Sequence, residues 1–402
     1  MKKFLSIALI LVMSLGLLAG CASEPSTPSG EENDSDFKVG FIFLHDENST
    51  YDKNFMDAAN AAAKACGLTT EQVLFKTGIP ESDDCYNAAA ELVDEGCDLV
   101  FADSFGHETY MIQAAKEFTD VQFCHASGNR AHTEKLDNFH NAFAAIYEGR
   151  YLAGIAAGMK LNQMIEEGKI KAEEAKIGYV GAFDYAEVVS GMTSFYLGAR
   201  SVCESATMDV KYTNSWFDIA LEKEAAKSLI DGGCVLISQH ADSEGAPKAC
   251  EENGVPNVAY NISTIDMAPN TALISSTINW QPYMELIIKA AKDGTEIPDD
   301  YCPGIKEGAV ALTELNSAVA APGTQEAIDA AKAKIIDGTL KVFDTKTFTY
   351  QGKELTSYMA DVDYDDAFTP DTEVVENGAF SESTKRAAPY FDLKYIDGIT
   401  AK

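Results

Sequence analysis

A strand, a loop and a helix follow one another in residues 177–200, whose sequence is IGYVGAFDYAEVVSGMTSFYLGAR. The first four residues form an apolar run, and from Glu187 onward apolar residues recur at spacings of three and four, as on one face of a helix. The run is apolar throughout rather than alternating, which is typical of a strand covered by helices on both faces. Residues 177–200 therefore predict one βα unit of a parallel sheet.

The same order recurs in two similar parts of the chain, residues 38 to about 126 and residues 177 to about 261. Apolar runs predict strands at residues 39–44, 73–76, 99–102, 121–125, 177–180, 210–212, 235–239 and 258–261. Helical spacing predicts helices at residues 55–64, 84–95, 109–117, 148–159, 187–200, 220–231 and 244–253. Strands that alternate with helices form right-handed βαβ units, so we predict an α/β fold of two doubly wound, Rossmann-like lobes joined by a hinge.

The lobe boundaries are expected as follows. Residues 37–138 plus 274–318 are assigned to the N-terminal lobe, and residues 139–273 plus 319–402 to the C-terminal lobe. After residue 261 the sequence predicts, in order, a strand at 273–277, a helix at 283–292, and an added strand or hairpin at 342–346 and 348–351. The tail from residue 361 to 402 has little periodicity and is expected to wrap one lobe.

Charge excludes some partners. The 402 residues include 31 Lys and Arg against 63 Asp and Glu, for a net charge of -32. A surface with this much negative charge repels phosphate backbones and anionic lipids. We therefore expect no nucleic-acid partner and no electrostatic adhesion to membranes. A hydrophobic fraction of 46% with 23% charged residues is typical of a globular protein and excludes wholesale disorder.

The N-terminus predicts a bacterial lipoprotein. Met1-Lys2-Lys3 is followed by an apolar run at residues 4–18 and by Leu18-Ala19-Gly20-Cys21. Residues 1–20 are therefore interpreted as a signal peptide, with Cys21 lipidated and residues 21–36 as a flexible tether. The alternative is a transmembrane anchor, for which the run is near the lower length limit. The expected location is the extracytoplasmic face of the cell membrane, with the lipid as the only membrane attachment.

Neither a metal nor a cofactor is indicated by the sequence. The cysteines other than Cys21 include no CxxC pair and no His at metal-binding spacing. An exported chain could pair these eight cysteines, and the sequence leaves their disulfide state open. No GxGxxG follows a strand and no phosphate-binding GxxxxGK[ST] occurs. Ser104 and His107 are close together, but there is no GxSxG and no third triad member, so a hydrolase is disfavoured and no enzyme is predicted.

Residues that follow the predicted strands are the candidate ligand contacts, because ligands of open α/β sheets bind beyond the carboxyl ends of the strands. These positions are rich in aromatic rings, Asp, Asn, Ser and His and almost devoid of Lys and Arg, a set that suits a flat, neutral ligand with hydrogen-bonding edges. The candidates are Asp46, Ser104, Phe105, Gly106, Asp184, Asn214, Trp216, Asp218, His240, Asp242, Asn261 and Trp280. For any one ring, packing in the core is the more common role.

Several motifs together resemble the basic membrane lipoprotein family, type I substrate-binding proteins of ABC importers with the type I periplasmic-binding-protein fold. The resemblance covers about residues 38–314, and its closest features are those of the adenine- and purine-binding branch. The motifs are Asp52-Lys53-Asn54-Phe55, Tyr147-Glu148-Gly149-Arg150-Tyr151-Leu152-Ala153-Gly154, Ile177-Gly178-Tyr179-Val180-Gly181, Glu187-Val188-Val189-Ser190-Gly191, Asn214-Ser215-Trp216-Phe217-Asp218 followed by Lys223-Glu224, Gln239-His240-Ala241-Asp242-Ser243, Ala268-Pro269-Asn270-Thr271 and Trp280-x-Pro-Tyr283.

The resemblance implies roles for individual residues. Phe55 and Trp216 match the family's rings that stack on the base, and Asp46 precedes Phe55 by nine residues, as the family's base-reading Asp does. Asp242 lies where nucleoside binders place a ribose-contacting Asp. The family's ribose-contacting Lys has no counterpart near Thr277, which favours a free purine base over a nucleoside.

The expected function is therefore capture of a purine, adenine-like base or nucleoside, by aromatic stacking and hinge closure, for delivery to an ABC permease and its ATPase. The binding protein is expected to be a monomer. A sugar or autoinducer ligand stays open as an alternative, since sugar sites also use Trp, Asp and Asn. A receptor that presents its ligand to a membrane sensor has the same lobes, so it stays open as well.

Overall fold

The computed structural model describes residues 36–363 and 370–402. The predicted signal peptide, the lipidated cysteine and the tether as far as residue 35 lie outside the described residues. The strands are β1 (Val39–Ile42), β2 (Val73–Lys76), β3 (Leu99–Ala102), β4 (Gln122–Ala126), β5 (Phe139–Ala142), β6 (Lys176–Gly181), β7 (Thr207–Tyr212), β8 (Leu236–His240), β9 (Asn257–Tyr260), β10 (Ala272–Ile278), β11 (Asp300–Tyr301), β12 (Val310–Leu312), β13 (Met359–Ala360), β14 (Thr372–Glu373), β15 (Val375–Glu376), β16 (Ala379–Phe380) and β17 (Ile399–Ala401).

Helices alternate with the strands in the first three quarters of the chain. They are α1 (Thr50–Ala65), α2 (Asp83–Asp94), α3 (Glu108–Glu117), α4 (Ala131–Glu134), α5 (Ile146–Glu166), α6 (Ala186–Val202), α7 (Ile219–Asp231), α8 (Gly245–Asn253), α9 (Gln281–Asp293) and α10 (Thr324–Ile336). None of the helices in the described ranges is both long enough and apolar enough to cross a membrane.

Two sheets carry the architecture. The strand order of the first is β11-β5-β4-β3-β1-β2, and that of the second is β12-β10-β9-β8-β6-β7-β17. The pairs within the first sheet are parallel, and in the second only β12 runs antiparallel to its neighbour. The order of β2-β1-β3-β4-β5 is repeated by β7-β6-β8-β9-β10, so each lobe is doubly wound. The predicted fold class is confirmed.

Burial explains why these runs are strands. All four residues of β1 (sequence VGFI) are buried, as are all four of β3 (sequence LVFA), because helices cover both faces of the sheet. Residues Phe37–Lys402 form one compact unit, so the two sheets can be described together.

The sheets divide the chain differently from the predicted lobe boundaries. β5 lies in the first sheet beside β4, although it follows the boundary expected at residue 138. β10 and β12 pair within the second sheet, although residues 274–318 were assigned to the N-terminal lobe. Only α9 and β11 of that segment join the first lobe, where α9 packs on α1 and β11 pairs with β5. The chain therefore crosses between lobes after β5, after β10 and after β11.

The hairpin expected at residues 342–351 is a wrong prediction. Isolated bridges join Asp344 to Ala379 and Tyr350 to Lys353, and no ladder forms between the two runs. Their apolar residues are used instead for packing, since Val342, Phe343 and Phe348 are buried in the main core.

The C-terminal tail contacts both lobes, which differs from the expectation that it wraps one. Its last strand, β17, adds to the second sheet in parallel with β7. The Ser190 hydroxyl on α6 donates to Glu382 at 2.5 Å, and the Ala387 N–H donates to Asp300 of β11 in the first sheet at 2.7 Å. The tail thus spans from one lobe to the other.

Close contact between α5 and α6 depends on glycines. A Cβ atom at Gly198 would lie 2.0 Å from the Tyr151 carbonyl oxygen, and one at Gly154 would lie 2.1 Å from the Phe195 carbonyl oxygen. The obstacles are backbone atoms, so no side-chain rotation can relieve them. The two helix backbones approach each other only because these positions carry no side chain.

We expect Gly198→Ala to lower the free energy of unfolding by about 1–3 kcal/mol, because overpacking between two backbones forces the helices apart. Gly232→Ala is the matched control, since its Cβ would meet the nearest carbonyl oxygens at 3.3 Å; we expect a change within about 0.5 kcal/mol. Urea unfolding monitored by circular dichroism measures both. Equal stabilities of the two variants would contradict the packing argument.

Candidate ligand-binding cleft

A small cavity of about 20 Å³ lies between the carboxyl ends of the two sheets in this arrangement of the lobes. We call it the inner cavity. From the first lobe it is lined by Leu44, His45, Tyr51, Asp52, Ser104, Phe105 and Ser127, and from the second by Glu187, Trp216, His240 and Asp242. Residues that follow β1, β3 and β4 thus face residues that follow β7 and β8, as the strand-end rule predicts.

Direct contacts between the lobes close the cleft. The Thr50 N–H at the start of α1 donates to the Asp242 carbonyl at 2.8 Å, and the Thr50 hydroxyl donates to the same oxygen at 3.1 Å. The rings of Phe105 and Tyr185 meet across the cleft with centroids 5.6 Å apart. His45 and Phe217 meet at 5.2 Å. The structure therefore represents the closed arrangement of the two lobes.

The first-lobe wall is built around the Asp52 carboxylate. Ser49 caps α1 by accepting the Asp52 N–H, and Asp52 in turn accepts the His45 N–H at 2.8 Å. Burial opposes ionisation of Asp52, but the hydrogen bonds from His45 and Ser49 outweigh it and lower its pKa. Behind it, burial and then the nearby Asp52 charge raise the pKa of Asp103 well above its usual range. Asp52 is thus the ionised member of this pair.

The second-lobe wall presents Asp242, which is buried beside other acids. The Asn261 side-chain amide donates to the Asp242 carboxyl at 3.3 Å. Burial, followed by the charges of Glu222, Asp52 and Glu187, raises the pKa of Asp242 well above its usual range. The Glu222 carboxyl in turn accepts the Ser243 N–H at 3.1 Å and fixes the loop that carries Asp242. This wall therefore offers a carboxyl that readily holds a proton.

Glu187 lies where the two walls meet, in the first turn of α6. Its carboxyl is 3.4 Å from the His240 ring, and burial raises its pKa to about 7 against the opposing charge of Arg150. Burial, then the charge of Arg150, holds the pKa of His240 well below its usual range. His240 is therefore neutral at physiological pH.

Aromatic rings supply the apolar part of the walls. Trp216 packs edge-on against Phe183 at 5.0 Å, and Phe183 stacks on Tyr185 at 5.0 Å. Facing this cluster, Tyr51 is held by its hydroxyl, which donates to the Asp103 carbonyl at 2.8 Å. The inner cavity thus has aromatic rings from both lobes, namely Tyr51 and Phe105 from the first and Trp216 from the second.

The inner cavity adjoins a wider space of about 420 Å³, which we call the outer cavity. Phe105, Ser127 and Glu187 border both spaces. The tail contributes to the outer wall at positions 386, 388 and 389. The Arg386 guanidinium donates to the carbonyls of Ala388 and Pro389 at 3.0 and 2.6 Å, which holds this loop of the tail in shape.

Five of the predicted contacts line the inner cavity, namely Ser104, Phe105, Trp216, His240 and Asp242. Gly106 lines the outer cavity, and its N–H donates to Glu81 at 2.7 Å. Asn261 sits one layer behind the wall through its bond to Asp242.

The remaining predicted contacts have other places in the structure. Phe55 and Trp280 stack on each other at 4.4 Å in the buried core and do not border the inner cavity, which corrects their assignment as ligand contacts. Asp46 is exposed and accepts hydrogen bonds from Asn48.

Three more predicted contacts serve local structure on the second lobe. Asp184 pairs with Lys394 of the tail, and Asp218 caps α7 through the Leu221 N–H. Asn214 shapes the turn after β7 with a φ of 56°.

Sequence reasoning missed Tyr51, Asp52 and Glu187. Tyr51 lies four residues before Phe55 and therefore on the same face of α1, closer to the sheet edge. Asp52 and Glu187 were quoted only as parts of motifs, and each lies in the first turn of a helix that begins at the cleft. Attention to the first turn of each helix, as well as to strand ends, would have found them.

Within residues 36–363 and 370–402, no group of three or more His, Cys, Asp or Glu side chains is arranged to hold a metal ion. The eight cysteines of this part of the chain are free thiols.

Comparison with known proteins adds family information to this geometry. The family model described as ABC transporter substrate-binding protein PnrA-like (Bmp) matches residues 42–346. A purine-binding protein of Brucella abortus is 32% identical over 320 residues, covering 79% of this chain and 86% of its own. A Haloferax volcanii protein named as a glucose-binding protein of an ABC transporter is 32% identical over 257 residues, covering 64% of this chain and 62% of its own.

A solved structure supports the fold. The solute-binding protein of an ABC transporter system from Conexibacter woesei superposes with a TM-score of 0.61 and 21% identity. The match covers 76% of this chain and 98% of the other. Nearly all of that chain therefore has a counterpart here, whereas about a quarter of this chain has none there.

Proposed function

This chain belongs to the PnrA-like (Bmp) family of ABC transporter substrate-binding proteins, and we propose that it captures a purine base, adenine-like, between the walls of the inner cavity, which the lobes widen to admit it. Members of the family bind small molecules for a permease and an ATPase and are not enzymes. In this proposal a lipid on Cys21 anchors the protein outside the cell membrane, and hinge closure over the base is the signal that the permease receives.

The observation that carries the proposal is the composition of the inner cavity. Trp216 and Tyr51 offer rings from opposite lobes, and Asp52, Glu187 and Asp242 offer carboxyl groups between them. Among the described residues that line this cavity there is no Lys and no Arg. A planar ligand with N–H groups at its edge suits such walls, whereas an anion does not.

Hydrogen-bond direction favours an amino-substituted base. An ionised carboxylate only accepts hydrogen bonds, and the hydroxyls of Ser104 and Ser127 already donate to Glu81 and to the Ala126 carbonyl. Asp242, whose raised pKa keeps it protonated, is the carboxyl of this wall that can donate, so acceptors still outnumber donors among the carboxyl and hydroxyl groups. Adenine brings an amino group and a ring N–H to those acceptors, while an oxo-purine would leave its carbonyl in need of a donor.

A sugar is the second candidate. The Haloferax volcanii relative is named for glucose, and a ring stacked on Trp with hydroxyls bound by carboxylates is also compatible with this cavity. The two candidates differ in what they can donate and in ring planarity, so direct titration separates them.

Calorimetric titration of a protein that begins at residue 36 tests the proposal. The protein is first unfolded and refolded to remove any ligand that was bound during expression. The ligands are adenine, hypoxanthine, guanine, adenosine and glucose. We expect adenine to bind tightest and hypoxanthine at least tenfold more weakly, because its carbonyl meets acceptors. Heat from glucose with none from any purine would establish the sugar candidate and refute the purine proposal.

Trp216→Ala is expected to weaken adenine binding about tenfold or more, since stacking of a base on one aromatic side chain is worth about 1–3 kcal/mol. Phe195→Leu is the matched control: its ring is buried in the second lobe against Tyr179, away from the cavity, so stability should fall while affinity is kept. Unchanged affinity in Trp216→Ala would remove this ring from the site.

Cys21→Ser is expected to move the protein from the membrane fraction to the soluble extracytoplasmic fraction, because the thiol is the atom that receives the lipid in this proposal. Fractionation of cells that express either form, followed by immunoblotting, measures the distribution. A Ser23→Ala variant controls for changes near the processing site. Persistence of Cys21→Ser in membranes would favour the transmembrane alternative.

A further inference from the structure

Arg150 is a buried cation that the proposed site does not use directly. It lies on α5, is 1% exposed, and forms no ion pair within 4.0 Å among the described residues. One guanidinium nitrogen, Nη1, donates to the Gln239 carbonyl at 2.9 Å, while Nε and Nη2 lack a hydrogen-bond partner in the described structure. Its guanidinium carbon sits 3.7 Å above the centre of the Tyr260 ring. Burying a charge without a close counter-ion is costly, so its retention calls for a role.

The geometry directs Arg150 toward the wall of the inner cavity. A Cβ atom at Gly191 would lie 3.3 Å from Arg150 Nε and 3.0 Å from His240 Nδ1. Gly191 is four residues after Glu187, so it lies on the same face of α6, one turn further on. The missing side chain lets Arg150 and His240 approach this face, immediately behind the carboxyl that borders the cavity.

Among the titratable groups of the described residues that act on Glu187 directly, Arg150 is the one cation, and the others are neutral at physiological pH. The titratable groups that act on it are Tyr51 on α1, Arg150 on α5, Tyr179 on β6, His240 on β8, Asp242 after β8 and Tyr260 on β9. Burial raises the pKa of each of the three tyrosines, and that of Asp242 as well.

Two further groups of charges lie nearby. Glu382 of the tail is hydrogen-bonded to Ser190 on α6. Glu108, Arg130 and Arg386 border the outer cavity that Glu187 also faces. Of all these cations, Arg150 is the one whose charge opposes the effect of burial on Glu187.

We infer that Arg150 is a positioning residue for ligand capture, which from behind the cavity wall favours the ionised form of Glu187 as the acceptor for an N–H group of the bound ligand. This inference rests on the proposed function, because it assigns to Glu187 one of the edge contacts of the purine. Arg150 itself does not touch the ligand. Its positive charge acts on the Glu187 carboxyl, and the absence of a side chain at Gly191 lets the guanidinium approach α6.

A pH dependence follows, with a definite sign. Burial in the closed arrangement of the lobes raises the pKa of Glu187 to about 7, and only its ionised form accepts the ligand N–H. Affinity is therefore full above neutral pH and falls as pH drops through about 7, approaching tenfold per pH unit. Removal of the Arg150 charge raises the pKa further and moves this loss of affinity to higher pH.

The experiment measures adenine affinity by calorimetry from pH 5.5 to 8.5 for the wild type, Arg150→Met, Arg150→Lys, Glu187→Gln and the Arg150→Met/Glu187→Gln double variant. We expect Arg150→Met to bind at least tenfold more weakly at pH 7 and to lose affinity at higher pH than the wild type. Arg150→Lys keeps the positive charge and should show most of the wild-type dependence of affinity on pH. If Arg150→Met does not fold, Arg150→Lys replaces it as the test variant. Glu187→Gln should bind weakly with a flat profile.

The double variant separates positioning from simple structural support. We expect Arg150→Met to cause no further loss in the Glu187→Gln background, because the charge then has no carboxylate to act on. An equal loss in both backgrounds, or an unchanged pH profile in Arg150→Met, would overturn the inference.

A ligand-free measurement distinguishes failure of this inference from failure of the proposed function. Carboxyl ¹³C NMR, assigned with Glu187→Gln, follows the titration of Glu187 in the wild type and in Arg150→Lys and Arg150→Met. If no purine binds but the Glu187 titration moves up in Arg150→Met, the proposed ligand is wrong and the positioning role of Arg150 stands. If adenine binds and the titration does not move, the inference fails and the proposed function stands.

Discussion

The hydrogen bond from the Thr50 amide to the Asp242 carbonyl, 2.8 Å long, joins the first turn of α1 to the loop after β8. Around it the two lobes enclose the inner cavity, and the contact of Phe105 with Tyr185 closes the next layer outward. Asp52 and Asp242, on either side of this contact, are 1% and 5% exposed. The electrostatic properties of the site therefore depend on the contact between the lobes.

Burial sorts these carboxyl groups into different protonation states. Asp52 is ionised because hydrogen bonding with His45 and Ser49 lowers its pKa, whereas Asp103 and Asp242 are buried beside other acids and hold their protons. Glu187 lies between these limits, within reach of the Arg150 charge. A cavity lined by three carboxyls is thus not a uniformly negative site, and it can present acceptors and a protonated carboxyl side by side.

The tail adds a third component to a two-lobe fold. The family match ends at residue 346, yet residues 386, 388 and 389 form part of the outer cavity wall. Glu382 is tied to α6 of one lobe and Ala387 to β11 of the other. Low periodicity concealed this role, because the segment is held by individual side-chain bonds rather than by a sheet or a helix face.

The alternation of apolar runs with amphipathic segments was sufficient to predict two doubly wound lobes and the cleft between them. Each strand or helix shows its buried face in the spacing of its own apolar residues, so this pattern can be read from the local sequence. Trp216, Ser104 and Asp242 could be placed at that cleft because they follow strands directly. Tyr51 and Phe55 share one face of α1, so the sequence could not tell which of the two rings faces the cavity. That is decided by the packing of Phe55 against Trp280, which is more than two hundred residues away in the chain. The role of Glu187 could not be predicted from the sequence either. Its protonation depends on the charge of Arg150, and the two residues are near each other only because α5 packs against α6.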